Sequence, residues 1–190
     1  MGSAAHCFGY VCVILKILAL ISSLVGLGIP YWYQGDAVES TGLTGTVKTT
    51  IREGLWKKCT VLESTSTTET FCVGNDVTTI IDVIRWLIFI AAGILGIAVL
   101  AAGAAHMEKN STAFVVAAIH GFISAVVHLV ATALYATVVK DDIGFETKHL
   151  YIGWGMVILS AILTLLASVF ALILARMVRS TTKVESEDQK

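Results

Sequence analysis

The chain has 190 residues, of which 56% are hydrophobic and only 14% charged, with one proline and a formal net charge of −1. A soluble domain is about 45–50% apolar and about 25% charged, so this composition excludes an ordinary soluble domain and points to a membrane protein. The near-zero charge gives no basis for nucleic-acid binding.

Residues 8–29 form the first apolar run, interrupted by one charge, Lys16. Its length suits a bilayer-spanning helix. Residues 1–7 carry no lysine or arginine, and the run exceeds a signal-peptide core, so the segment reads as a retained anchor. Lys16 lies toward the N-terminal end of this span and is expected to snorkel to the interface. Cys7 is a candidate for S-palmitoylation. Cys7 and Cys12 do not form a C-x-x-C redox pair.

Residues 30–79 form a long polar loop that reads as β-structure. Val47, Thr49 and Ile51 alternate, and the stretch from Trp56 to Val73 reads as strand, polar turn around Ser64 to Thr68, strand. Cys59 and Cys72 would face each other across that hairpin. A disulfide there would stabilise the loop by roughly 3 kcal/mol in the chain-entropy model. A sheet this small has little core, so a covalent staple is expected. Gly54 permits a turn or bulge. Leu55 and Trp56 read as an apolar plug beside the disulfide, and Lys57 and Lys58 as solvated strand or turn residues.

The second span is placed at 80–105. Arg85 stands at its start, with Asp82 three residues earlier on the same helical face, an arrangement that suits capping or loop anchoring. A tight turn follows at 106–112. It contains the sequon Asn110-Ser111-Thr112, expected to be unmodified because the turn is read as cytoplasmic. The third span, 113–139, holds His120 and His128, which lie about 80° apart on a helix and are expected to make interhelical hydrogen bonds. Two histidines without a nearby carboxylate or thiol are a poor metal site. Small residues at four-residue spacing, Ala92 with Gly96 and Ala117 with Gly121 and Ala125, suggest close helix contacts. A short loop spans 140–150, where Asp141, Asp142 and Glu146 read as solvated charges. The fourth span is 151–175, entered through Tyr151 and Trp154 as interface anchors. Residues 176–190 are polar and expected to be a disordered cytoplasmic tail.

Four spans put both termini on one side. Near the helix ends, Lys109, Arg176, Arg179 and Lys183 on the termini side outnumber Lys140 and Lys148 on the other. This balance and the cysteine pair favour cytoplasmic termini and an extracellular long loop. The sequence offers no nucleotide loop, zinc motif or hydrolase triad, so no catalysis, cofactor or metal is expected.

Several residues together resemble a known family. Trp32, then Gly54-Leu55-Trp56, then Cys59 and Cys72 resemble the claudin signature of the first extracellular loop. Arg85 fits the same pattern, as does Leu150-Tyr151-Ile152-Gly153-Trp154 at the start of the fourth span. The shorter core is shared with peripheral myelin and epithelial membrane proteins and calcium-channel gamma subunits. The resemblance covers the whole chain. It implies an all-α membrane protein, a left-handed bundle of four transmembrane helices under a small extracellular β-sheet to which both loops contribute. It also implies a plasma-membrane protein of cell–cell junctions that assembles with itself and with related claudin-like proteins, in one membrane and between cells. Such assembly would form or regulate a paracellular barrier or ion passage; the alternative within the same fold is an auxiliary or trafficking subunit of a channel or receptor. This chain departs from the pattern in ending Asp188-Gln189-Lys190 rather than in valine, so scaffold binding through the C-terminus is not implied. Its cysteines are more widely spaced than usual, and its second loop lacks the proline-containing turn.

Overall fold

The computed structural model describes residues 3–29, 31–35, 38–42, 45–64, 66–74, 79–143 and 150–187. Four helices, α1 (Ser3–Gly28), α2 (Thr79–Glu108), α3 (Ser111–Ile143) and α4 (Ile152–Glu187), carry the apolar runs. Each contains a stretch long and apolar enough to cross a membrane. A helix is the natural form there, because lipid offers no partner to backbone N–H and C=O groups and the helix satisfies them internally. The helices form a ring in which α1 packs on α4 and α2, and α3 packs on α2 and α4.

Five antiparallel strands sit at one end of this bundle: β1 (Tyr33–Gln34), β2 (Val38–Gly42), β3 (Gly45–Glu53), β4 (Lys57–Glu63) and β5 (Thr68–Gly74). The order is β1-β3-β4-β5, and β2 pairs with the other half of the β3 edge that β1 occupies. Cys59 lies directly opposite Cys72 in the β4–β5 register and is bonded to it. Ser64 closes the turn between these strands through hydrogen bonds to Thr67.

The helix interfaces are dominated by small residues. At the end of the bundle away from the sheet, Cys12, Ala102, Ala105, Phe114, Ala117 and Ala171 are buried together. At the sheet end, Leu27, Trp32, Tyr33, Leu55, Ile84 and Tyr135 form a second cluster. Alanine suits the first because helices in lipid associate through close packing rather than through hydrophobic burial. Large side chains suit the second because loop and sheet must be tied down there.

A helix reversal joins α2 to α3. The N–H of Asn110 bonds to the carbonyl of Ala105 at 3.2 Å, and Lys109 takes a left-handed conformation with φ of 51°. This is a Schellman ending for α2, with lysine where glycine is usual. The side-chain oxygen of Asn110 then accepts from the N–H groups of Thr112 and Ala113, capping α3. One asparagine therefore ends one helix and begins the next.

The structure corrects several expectations. Lys16 does not snorkel. It is fully buried, and its ammonium donates to the carbonyl of Ala117 at 3.1 Å. Gly121 leaves the room: a Cβ there would meet Nζ of Lys16 at 2.7 Å and would also strike Oγ of Ser168. The segment 176–187 is not a disordered tail, since α4 continues to Glu187. Its composition is polar, but no glycine or proline follows Gly155 to stop the helix. Likewise α3 runs on to Ile143, so Asp141 and Asp142 lie in a helix rather than a loop; Glu146 falls outside the described residues. His128 does bridge helices, with Nε2 2.7 Å from Oγ of Ser23 on α1. His120 does not: it stays on its own helix, 2.9 Å from the carbonyl of Val116. Gly96 has open space where a Cβ would stand, so within the bundle it makes no close helix contact of the kind Gly121 makes.

Candidate functional site: the junction between sheet and bundle

The last turn of α1 leaves carbonyls without intrahelical donors. Two of them are taken by tryptophans from the loop. The indole N–H of Trp32 donates to Gly26 at 2.6 Å, and that of Trp56 donates to Leu27 at 2.7 Å. The Val25 carbonyl accepts from the N–H of Ile29. The end of α1 is thus the place where the sheet is fastened.

Gly54 pairs with Lys57, its N–H donating to the Lys57 carbonyl at 2.9 Å, so Leu55 and Trp56 form the tip of the β3–β4 hairpin. The tip points at the bundle. Leu55 is fully buried among apolar residues of the sheet-end cluster, whereas Trp56 is 42% exposed. Leu55 alone is the plug, and Trp56 acts as a clamp. Arg85, from the second turn of α2, closes over the tip. Its Nε donates to the Leu55 carbonyl at 2.8 Å, a second guanidinium nitrogen reaches the same oxygen, and the third contacts Asp82 at 2.8 Å. The guanidinium also lies 4.6 Å from the centre of the Trp56 ring. Guanidinium geometry is needed here, because a lysine ammonium could not serve a carbonyl, a carboxylate and a ring face together.

The start of α4 is tied to the same place. Leu150 bridges Tyr33, the N–H of Tyr151 donates to Trp32 at 2.8 Å, and the N–H of Gly153 donates to Tyr31 at 2.9 Å. Two backbone donors at the head of a helix are thereby satisfied by carbonyls of the segment just before β1. Gly153 lies against the Trp32 indole, so close that a Cβ would stand 2.6 Å from Nε1. Tyr135 of α3 meets the same indole edge-on at 4.9 Å. Trp154 donates to the Thr132 carbonyl of α3 at 3.0 Å, while Tyr151 is exposed at the bundle surface.

The named residues therefore converge on one structural unit. Trp32, Gly54, Leu55, Trp56 and Arg85 join the sheet to α1 and α2, and Leu150, Tyr151, Gly153 and Trp154 join it to α4 and α3. The Cys59–Cys72 bond lies one strand further out. Cys7 is separate from all of these, exposed near the opposite end of α1. A family model, the PMP-22/EMP/MP20/Claudin family, matches residues 7–177.

The chain belongs to the PMP-22/EMP/MP20/Claudin family. No curated protein sequence matches it. As a member of that family it is a multi-pass membrane protein with four apolar spans and a disulfide-bonded sheet. Its junction unit also holds residues that carry no signal in the sequence. Tyr135 is one, a tyrosine in an apolar helix, and the carbonyls of Gly26, Leu27 and Thr132 are others, since any residue type supplies a carbonyl. Among the described residues, no three His, Cys, Asp or Glu side chains stand close enough to share a metal.

Proposed function

We propose that this protein is a claudin-like junction protein: the sheet is extracellular, the termini are cytoplasmic, and copies assemble side by side and across cell contacts to form or regulate a paracellular barrier. The observation that supports this reading most is β5. It lies at the open edge of the sheet, and every residue from Thr68 to Gly74 is exposed. Phe71 and Val73 present 57% and 64% of their surface to solvent. Phe71 pairs with Thr60, which pairs with Ile51, so two exposed apolar side chains flank a threonine in a row that ends at that edge. An open, apolar edge strand is a template for pairing with another chain. The rigid attachment of the sheet to all four helices would hold this edge at a fixed height above the membrane.

The long loop carries four basic and six acidic residues, a net of −2, which favours cations along a passage lined by it. The partners are copies of the chain and related family members, in the same membrane and opposite. The test is expression of tagged protein in adherent cells that lack junction strands, with half the cells labelled in one colour and half in another. The expected result is enrichment, with strands, only where two expressing cells touch. Phe71→Asp should keep surface delivery and lose that enrichment. A uniform membrane signal with a partner retained at fixed ratio on purification would refute the junction reading and support the auxiliary-subunit role.

A further inference from the structure

At the end of the bundle opposite the sheet, the start of α3 and the last part of α4 flank an open cavity of about 490 Å³. Its walls divide by chemistry. Arg176 and Arg179 of α4 and the hydroxyl residues Ser111 and Thr112 of α3 line one part, and Val115 and Leu172 line the other. The arginines fall at the end of the fourth span and Ser111 at the start of the third, so the polar part is at headgroup depth and the apolar part faces the acyl chains. One turn deeper, Ile119 and Val169 continue an exposed apolar surface.

The charges in this cavity are uncompensated among the described residues. The ion pairs there are Lys58–Glu53 and Arg85–Asp82, both at the sheet end. Arg176 and Arg179 are exposed, and among the described residues neither guanidinium has a hydrogen-bond partner. The α3 terminus is already capped by Asn110, so the attraction for an anion comes from the two guanidinium groups. Three residues apart on a helix, they are neighbours and can fork onto one phosphate. Hydroxyls across the cavity can donate to its remaining oxygens.

We infer that this cavity is a binding site for one anionic phospholipid, its phosphate held between Arg176 and Arg179 and its acyl chains laid over Val115 and Leu172. A soluble phosphate would leave the apolar half of the cavity empty, so the lipid is the occupant the walls fit. The inference does not depend on the junction reading, since it concerns the opposite end of the molecule.

The test is native mass spectrometry of the purified full chain in micelles containing equal amounts of phosphatidic acid and phosphatidylcholine. One phosphatidic acid should be retained per chain, with at least about a tenfold preference, the order of affinity that charge-assisted bidentate contacts supply. Arg176→Gln with Arg179→Gln should abolish that preference. Val115→Trp, which fills the groove without changing charge, should do the same, whereas Lys109→Gln, a charge change outside the cavity, should not. These positions are at the surface, and helical circular dichroism checks each variant. The site is refuted if wild type retains both lipids equally, or if Val115→Trp keeps the preference, which would mark general attraction of interfacial arginines. Displacement of the lipid by an equal concentration of glycerol phosphate would also refute it, assigning the cavity to a free anion.

Discussion

Gly153→Ala should destabilise the protein, although helix propensity predicts the opposite. Within a helix, alanine is favoured over glycine by about 0.5–1 kcal/mol. At position 153, however, the added methyl would stand 2.6 Å from Nε1 and 3.1 Å from Cγ of Trp32. The indole cannot step aside cheaply. It is fully buried, bonded to the Gly26 carbonyl at 2.6 Å and packed edge-on against Tyr135. Relief requires either overpacking, at about 1–3 kcal/mol, or loss of the indole hydrogen bond, leaving a buried carbonyl unpaired at about 1–3 kcal/mol. Less the propensity gain, the net cost is about 0–2.5 kcal/mol. Gly155→Ala is the internal control, since a Cβ there meets nothing within 4 Å and only the propensity gain remains. Thermal unfolding in detergent, followed by circular dichroism, should therefore lower Tm for the first variant and hold or raise it for the second. In a Trp32→Ala background the cost of Gly153→Ala should vanish, a coupling a double-mutant cycle would measure. A Gly153→Ala protein at least as stable as wild type would refute the argument that this glycine is required by the tryptophan.

Other outcomes follow from the same geometry. Cys59→Ser and Cys72→Ser, made singly, should lose equal stability in the sheet, about 3 kcal/mol for a closed loop of this size; limited proteolysis of the sheet would reveal unequal effects. Lys109→Gly should raise stability by about 1 kcal/mol in the same thermal assay, because glycine relieves the left-handed strain at that position. Lys16→Met should leave Tm unchanged or higher, since an apolar chain of similar length fills the same space without the cost of burying an ammonium that has only a carbonyl partner. A fall in Tm for Lys16→Met would show that the bond to Ala117 outweighs the desolvation of the charge.

Much of this architecture is legible in the amino-acid sequence. Long charge-free runs can only be helices in lipid, so the four spans follow from composition and length alone. The hairpin follows from β-branched residues on either side of a serine- and threonine-rich turn. The pairing of Arg85 with Asp82 follows from their three-residue spacing. The roles at the junction are less visible, because they depend on where one element ends relative to another. Trp32 and Trp56 are both loop tryptophans in sequence, yet one is a buried pin and the other an exposed clamp. What separates them is which carbonyl at the end of α1 each one reaches.

Lys16 shows the limit most clearly. Its depth along α1 is set by the sequence, and from depth alone an escape to the interface is the economical choice for a lysine. Its direction around α1 is set by how α1 packs on its neighbours, and that packing turns it inward, toward the space left by Gly121. The existence of the four spans was determined by the chain, because it is a local property of hydrophobicity and hydrogen bonding, although α3 and α4 run on past their apolar stretches to Ile143 and Glu187. Rotation, contact and which glycines must remain glycines were decided by the tertiary structure, because they arise only when one surface meets another.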